Sequence, residues 1–247
     1  MYEEFAKVYD FLMQSYDYEA YTQYYLDLMD KYAIEKGSLL DFGAGTGTFT
    51  EILASFFSEV TAVDSSKDML SVAKEKLWQK KNIELICADI SGFQAKKKYD
   101  AVIASFDVMN YMHSYEMLRR TVFSAYSALK DNGIFLFDMS SIDRFRYLFG
   151  NNSYAMEDQK TFMTWQNKYD ESRNMVSVRI NVFRKEENGL YSRVDEKQNM
   201  RGFPPKELLS ILTQCGFGFA ECLNPLTMEE YNEELFRLQF VALKREA

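Results

Sequence analysis

The stretch Ser38-Leu39-Leu40-Asp41-Phe42-Gly43-Ala44-Gly45-Thr46-Gly47-Thr48 decides the fold of this chain. A short apolar strand runs into an aspartate and then into a loop with glycine at alternate positions. Glycine has no Cβ, so such a loop can take positive φ and let a ligand lie against bare backbone, with the N-terminus of the next helix facing it. The stretch therefore predicts a site for a nucleotide-type ligand at the end of a strand.

The spacing of the glycines narrows the choice of ligand. A dinucleotide fingerprint has the form G-x-G-x-x-G, whereas here the third glycine comes one residue early and Thr48 takes the last place. A phosphate-binding P-loop is excluded more firmly, because no Lys-Ser or Lys-Thr follows the glycines. Asp41 adds a carboxylate directly before the loop, and unit charges about 4 Å apart interact by roughly 4 kcal/mol at an effective dielectric of about 20. We expect a pyrophosphate to be repelled there and a cationic ligand to be attracted.

Further acids stand at the ends of the next strand patterns. The pattern Glu59-Val60-Thr61-Ala62-Val63 ends in Asp64, about 20 residues past the glycines, where a ribose-binding acid belongs. Two later strand patterns end at Asp89 and Asp107. Ligands bind at the carboxyl ends of the strands in an open parallel sheet, so we expect several of these acids to share one crevice. NAD and S-adenosylmethionine both carry a ribose, but an acid-lined crevice suits a sulfonium cation.

These motifs resemble those of the class I S-adenosylmethionine-dependent methyltransferases, and most of all the small bacterial ones with an inserted sheet before the last helix. The motifs in question are Asp41–Gly47, Asp64, Ala88-Asp89-Ile90, Ser105-Phe106-Asp107 and the turn Leu129–Phe135. The resemblance covers nearly all of the chain. It implies an α/β fold: a doubly wound, Rossmann-like sheet of seven strands whose last strand is antiparallel, with N-terminal helices and an antiparallel β insertion.

The resemblance also implies S-adenosylmethionine as the cofactor, with the glycine loop along its methionine part, Asp64 on its ribose and Asp89 on its adenine amino group. Related enzymes begin with a Tyr-Asp pair and a later aromatic residue that close over the methionine end, and Tyr9-Asp10 and Tyr21 match those places. The residues assigned to the cofactor site are Tyr9, Tyr21, Asp41, Gly43, Gly45, Asp64, Ser65, Asp89, Ile90 and Phe106.

The loop after the fourth strand faces the transferred methyl group in related enzymes. The candidates for catalysis are therefore Asp107, Asn110, Tyr111 and His113. The loop departs from the Asn-Pro-Pro-Tyr motif of enzymes that methylate amino groups of DNA or of protein glutamine, which leaves nitrogen, oxygen and carbon acceptors open. Two alternatives also stay open: an NAD-dependent oxidoreductase, and a catalytically silent cofactor-binding protein on the same fold.

Hydrophobic periodicity predicts the organisation of the rest of the chain. Helical patterns cover Phe5–Tyr32, Thr48–Phe56, Lys67–Trp78, Tyr115–Leu129 and a segment from Pro204 or Pro205 to Gly216. From about Tyr154 to Met200, alternating runs between turn signals predict an antiparallel meander. We expect residues 1–150 and 203–247 to form the methyltransferase domain, and residues 151–202 to form an insertion over the substrate side. Three aromatic residues of the insertion are candidates to line the acceptor cavity: Tyr154, Phe162 and Trp165.

The composition limits which classes of partner we expect. The formal net charge is −8 and Lys96-Lys97-Lys98 is the one basic cluster, so we expect a small neutral or cationic acceptor and no nucleic acid. The sequence has no apolar run long enough to span a membrane and no signal-peptide pattern at its start, which predicts a cytoplasmic protein. Three cysteines without a C-x-x-C pair and a single histidine predict neither a disulfide framework nor a metal site.

Overall fold

The computed structural model describes residues 2–232 and 236–245. Within these residues, seven strands form a mixed sheet in the order β10-β11-β5-β4-β1-β2-β3. Its strands are β1 (Ser38–Phe42), β2 (Glu59–Asp64), β3 (Ile83–Cys87), β4 (Tyr99–Ala104), β5 (Leu129–Ser140), β10 (Phe219–Leu223) and β11 (Arg237–Leu243). Strands β1 to β5 pair in parallel, while β11 lies antiparallel between β5 and β10. The predicted doubly wound sheet with an antiparallel last strand is confirmed.

Six α-helices accompany the sheets in the described part of the chain: α1 (Tyr2–Leu12), α2 (Tyr18–Lys31), α3 (Thr48–Leu53), α4 (Lys67–Lys76), α5 (Tyr115–Ala128) and α6 (Pro205–Gln214). The prediction of one helical segment over Phe5–Tyr32 is wrong in one respect. The chain leaves the helix after Leu12 and re-enters it at Tyr18, because the Asp17 side chain accepts a hydrogen bond from the Ala20 N–H (2.9 Å) and caps a new helix there.

The main sheet is covered on both faces, as a parallel sheet requires. On one face, Leu40, Phe42 and Phe135 pack with α5 and α6. On the other, the tyrosine-rich face of α2 packs against the sheet, with Tyr25 fully buried. The tyrosines of this helix are therefore mainly core residues.

A second sheet follows β5 in the chain, and it is an antiparallel meander of four strands in sequence order within the described residues. The strands are β6 (Ser153–Glu157), β7 (Thr161–Asp170), β8 (Met175–Lys185) and β9 (Tyr191–Arg201). The predicted meander is confirmed, but β6 is absent from the prediction. Every residue of β6 is exposed, so it lacks the alternation of buried and exposed positions that marks a half-buried strand.

The second sheet has one apolar face, and that face connects it to the rest of the molecule. Val178, Ile180 and Met200 pack there against Phe5 of α1 and Phe145 of the π-helical turn Arg144–Phe149. Strand β9 thereby comes to lie beside α1, over the carboxyl ends of the main-sheet strands. Among the helices that the structure describes, none is long and apolar enough to cross a membrane.

Candidate functional site

A cavity of about 580 Å³ lies at the carboxyl ends of β1 to β4. Segment 43–46 of the glycine loop and the ends of β2 and β3 form one wall, while α1 and residues 196–199 of β9 close the opposite side. Ten of the sequence-predicted site residues line it: Tyr9, Gly43, Gly45, Asp64, Ser65, Asp89, Ile90, Phe106, Tyr111 and His113. The other four, Tyr21, Asp41, Asp107 and Asn110, lie outside its lining.

The glycine loop has a conformation that side chains resist. Gly43, Gly45 and Gly47 have φ values of 75°, 56° and 77°, in the left-handed region. A Cβ on Gly43 would come within 2.4 Å of the Val108 side chain. A Cβ on Gly45 would meet the Tyr9 ring at 3.9 Å and, beyond its chain neighbours, no other described residue within 4 Å, so it would stand in the cavity. Gly45 thus keeps open a place where a ligand can lie against backbone.

Asp64 presents a carboxylate to the cavity in a fixed orientation. One oxygen accepts a hydrogen bond from the Gly45 N–H and the other from the Ser66 N–H, each at 2.8 Å. Burial raises the pKa of Asp64, and the backbone donors act in the opposite direction. Each carboxylate oxygen has further lone pairs, so this side chain can accept hydrogen bonds from two neighbouring hydroxyls of a ligand.

Asp89 and Ile90 form the next part of the wall. The Asp89 Oδ1 accepts a hydrogen bond from the Ser91 N–H (2.8 Å) and caps the short turn Ile90–Gly92. This leaves the other oxygen without a partner within the described residues. Ile90 is buried and borders the same cavity, so an acceptor and an apolar surface lie side by side, an arrangement that fits a planar heterocycle with an amino group.

Asp41 has a different environment from the one expected. Its side chain is 3% exposed and accepts a hydrogen bond from the Thr50 hydroxyl (2.6 Å). Burial raises the pKa of Asp41 to about 7. The expectation that its charge faces the ligand is wrong, because strand β1 points this side chain into the interior. The acids on the cavity wall are Asp64, Asp89 and Glu196.

Tyr21 lies behind the cavity and not on its wall. Its ring packs edge-on against the Phe106 ring at 5.2 Å, and Phe106 lines the cavity. The tyrosines that line the cavity are Tyr9, Tyr18 and Tyr111. Burial is the main cause that raises the pKa of Tyr9 well above its usual value, so its hydroxyl is neutral at physiological pH.

Two candidates for catalysis have structural contacts that keep them away from the cavity. Asp107 accepts hydrogen bonds from Arg237 (2.8 Å) and from the Ser140 hydroxyl (2.9 Å). The fully buried Asn110 amide donates to the carbonyl oxygens of Ser140 and Arg201, at 3.1 and 2.8 Å. Both side chains hold the turn after β4 against its neighbours, so neither is placed to touch a reacting group.

Tyr111 and His113 do face the cavity, and each contacts β9. The Tyr111 hydroxyl donates to the Gln198 Oε1 (2.9 Å), and the His113 Nε2 lies 3.0 Å from the Asn199 carbonyl oxygen. Burial is the largest cause that raises the pKa of Tyr111, with the charge of Asp107 next. A neutral, hydrogen-bonded tyrosine of this kind positions a ligand better than it removes a proton.

Two groups of residues around the site were not predicted from the sequence, and Asp10, which the resemblance pairs with Tyr9, is placed by contacts that the sequence did not predict. The Asp10 carboxylate accepts from the Thr46 hydroxyl (2.5 Å) and pairs with Lys76 (2.8 Å), so α1 is fastened to the glycine loop. Arg237 pairs with Asp107 and Asp138 beneath Phe106. Glu196 and Gln198 occupy inward positions of β9.

The two β9 residues had a readable signal. Val194 and Met200 are buried at the two ends of the segment Val194-Asp195-Glu196-Lys197-Gln198-Asn199-Met200. Because successive side chains of a strand point to opposite faces, Glu196 and Gln198 lie on the same inner face as Val194 and Met200. The three aromatic residues that the sequence suggested for the acceptor cavity do not line it. Tyr154 and Phe162 are exposed, and Trp165 packs on Phe149 at 5.9 Å.

Comparisons with known proteins also indicate a methyltransferase. Residues 39–133 match the family model described as "Methyltransferase domain". The chain is 32% identical over 249 residues to "Putative methyltransferase YqeM" of Bacillus subtilis (strain 168), covering 99% of this chain and 97% of that protein. It is 32% identical over 137 residues, 54% of this chain and 56% of the relative, to a dTDP-3-amino-3,4,6-trideoxy-alpha-D-glucopyranose N,N-dimethyltransferase of Streptomyces venezuelae.

A solved structure is similar over the whole length. The S-adenosylmethionine-dependent methyltransferase from Clostridium acetobutylicum ATCC 824 superposes with a TM-score of 0.89 at 26% sequence identity, covering 98% of each chain.

Proposed function

The chain belongs to the class I S-adenosylmethionine-dependent methyltransferases, and we propose that it methylates a small-molecule acceptor held between the glycine loop and β9. The observation that carries the proposal is the cavity itself. Groups suited to a nucleoside and groups suited to a second ligand face each other across about 580 Å³. Small-molecule sites commonly have volumes of about 300–1,000 Å³.

The residues of this chain fit S-adenosylmethionine on one wall. We assign Asp64 to the ribose hydroxyls, Asp89 with Ile90 to the adenine ring, and the open backbone at Gly45 with the Tyr9 ring above it to the methionine end. When bound, S-adenosylmethionine supplies a methyl group already activated by its sulfonium charge, so the protein contributes alignment and electrostatics. The acids of the cavity and the faces of Tyr9 and Tyr18 suit a cationic ligand.

The opposite wall is assigned to the acceptor. A hydrogen bond joins the side chains of Gln198 and Tyr111, and the His113 ring lies within hydrogen-bonding distance of the β9 backbone. This wall can therefore orient a second ligand without rearrangement. In this proposal residues 151–202 act as the insertion that covers the acceptor, through β9 rather than through the aromatic residues of β6 and β7. The Streptomyces venezuelae relative, named for a sugar nucleotide, supports a small acceptor.

A matched pair of glycine variants tests the cofactor half. Gly45→Ala puts a methyl group into the cavity at a left-handed position, whereas Gly189→Ala adds the same group at a left-handed position (φ 80°) with nothing within 4 Å. We expect calorimetry to show S-adenosylmethionine affinity reduced by about tenfold or more in Gly45→Ala and unchanged in Gly189→Ala.

The acceptor half is tested by release of S-adenosylhomocysteine against a library of small metabolites. Turnover on a library member, lost in Gly45→Ala, is the expected result. Strong binding of S-adenosylmethionine with turnover on protein or nucleic acid alone would contradict the proposal.

A further inference from the structure

Glu196 is a carboxylate placed where an apolar residue is expected. It points to the inner face of the second sheet and pairs in register with Ile180 on β8. Val194 and Met200, on the same face of β9, belong to the apolar cluster that holds this sheet to α1. Glu196 itself is 8% exposed, and its one open side is the cavity.

No group of the described residues satisfies this carboxylate. The Glu196 side chain makes no ion pair and no hydrogen bond within the described part of the chain, and the nearby Tyr111 hydroxyl is committed to Gln198. Burial accordingly raises the pKa of Glu196, with no partner acting against it. Its oxygens open onto the cavity and not into the apolar core, so a partly desolvated carboxylate is left free there to accept hydrogen bonds from a ligand.

We propose that Glu196 selects the acceptor, and that the acceptor is an amine whose N–H groups donate to this carboxylate. The inference rests on the proposed function, because it needs the β9 wall to face the acceptor. The chemical reason is the movement of charge. The amine nitrogen uses its lone pair to form a bond to the methyl carbon while the carbon–sulfur bond breaks, with its electron pair left on sulfur. The positive charge then lies on nitrogen, beside Glu196.

The same carboxylate disfavours other acceptors. A carboxylate acceptor would place a second negative charge beside Glu196, and like charges in a partly desolvated site repel. A neutral amine keeps its protons during methyl transfer, whereas an alcohol must lose one; an amine that arrives as its ammonium ion first releases one proton to solvent and then attacks with the freed lone pair. Lys197 also borders the cavity, but alternation along β9 turns its exposed side chain to the opposite face, so it does not offset Glu196.

Matched acceptors provide the test. The complete chain is assayed for S-adenosylhomocysteine release with cyclohexylamine against cyclohexanol and cyclohexanecarboxylate, and with glucosamine against glucose. We expect turnover on amines at least about tenfold above that on their partners. Glu196→Gln should lower kcat/KM for the amines by about tenfold or more, while the S-adenosylmethionine Kd stays within about twofold. Asp195→Asn, an exposed acid one residue away that pairs with Arg193 (2.9 Å), is the control and should change neither.

The outcomes separate the two proposals. Methylation confined to oxygen acceptors overturns the role of Glu196 and leaves the proposed function standing. Loss of S-adenosylmethionine affinity in Glu196→Gln also overturns it, because the carboxylate would then serve the cofactor.

Binding measurements cover the case in which no probe is turned over. With S-adenosylhomocysteine bound, cyclohexylamine should bind the wild type at least about tenfold more tightly than it binds Glu196→Gln, measured by NMR titration. Ligand-free Glu196→Gln should also melt at a higher temperature than the wild type at neutral pH, because partial burial raises the pKa of Glu196 and so disfavours its charged form in the folded protein. Equal binding of the amine, or a lower melting temperature, would overturn the inference.

Discussion

Asp64 is the single residue on which cofactor affinity should depend most. Its carboxylate faces the cavity and is oriented by two backbone N–H groups, so the geometry for two ribose hydroxyls exists before binding. Asp64→Ala should weaken S-adenosylmethionine binding by roughly 1.5–3 kcal/mol, about tenfold to more than a hundredfold in Kd. Titration calorimetry measures this, with Asp68→Ala of the next helix, outside the cavity lining, as the control. Equal Kd values for the folded Asp64→Ala and Asp68→Ala proteins would refute the assignment.

Asp41 predicts a pH dependence of stability. Its pKa is about 7 in the folded protein and about 3.9 in an unfolded chain, so between these values the folded state binds more protons. The wild type should therefore lose stability as the pH rises from about 4 to 7, by up to about 4 kcal/mol from this group.

The variant Asp41→Asn isolates that contribution, because the amide oxygen can still accept from Thr50. Denaturant unfolding of both proteins is measured at several pH values. The free energy of unfolding of Asp41→Asn should increase relative to that of the wild type as the pH rises. A constant difference would mean that the pKa of Asp41 is the same in the folded and the unfolded protein.

For single residues, the sequence predicted which strand ends carry acids, but it did not predict which of these acids face the cavity. Asp64 and Asp89 line the cavity, while Asp41 and Asp107 turn to internal partners. The partner of Asp41 is nine positions away on α3, and that of Asp107 is Arg237 on the last strand. Such partners depend on tertiary packing, which no local pattern contains.

Among the elements, the turn after β4 is held by the last strand. Phe106 and Asp107 have φ values of 60° and 69°, unfavourable for these residues, and the Phe106 N–H donates to Asp138. Arg237 of β11 bonds both Asp107 and Asp138 and lies over the Tyr16 ring. The strained turn that presents Phe106 to the cavity is therefore fixed by a buried ion-pair network.

Arg237→Met should lower the free energy of unfolding by about 3–5 kcal/mol, because two acids would lose their buried cation. Urea denaturation measures the loss, and Arg173→Met, in an exposed pair with Asp170, is the control, with an expected change below about 1 kcal/mol. Equal effects of the two substitutions would show that the network does not hold the turn.

Helix α1 is the second element with a testable attachment. Asp10 joins it to Thr46 and Lys76, so Asp10→Ala should release α1 from the glycine loop. We expect faster amide hydrogen exchange across residues 2–12 and a larger dissociation rate for S-adenosylmethionine. Asp30→Ala, which removes an exposed pair with Lys36 elsewhere, should change neither quantity. Unaltered exchange in Asp10→Ala would show that the apolar contact of Phe5 suffices to hold the helix.

Elements with a buried face were predictable and elements without one were not. Strands β7 to β9 alternate because their inner residues pack on Phe5 and Phe145, whereas β6 is exposed throughout. The break between α1 and α2 depends on one side-chain cap at Asp17, which competes with a helical pattern on both sides.

For the whole molecule, the cofactor half and the acceptor half differ in how far the sequence predicts them. The glycine loop, Asp64 and Asp89 follow one another along the chain at spacings set by βαβ units, and these spacings are readable. The wall proposed for the acceptor comes from β9, which reaches the cavity because a separate sheet packs on α1. The inward position of Glu196 could be predicted only from the alternation of inner and outer residues along β9. The register of that strand is fixed by contacts with residues distant in the sequence.

We propose above all that this chain moves a methyl group from S-adenosylmethionine to a small molecule. The most direct measurement supplies methyl-labelled S-adenosylmethionine and a bacterial cell extract, and then follows the label into small-molecule and macromolecular fractions. We predict label in a small molecule, with S-adenosylhomocysteine formed in equal amount, and neither product with Asp64→Ala. Label found in protein or nucleic acid alone, or small-molecule labelling that Asp64→Ala leaves intact, would contradict the account.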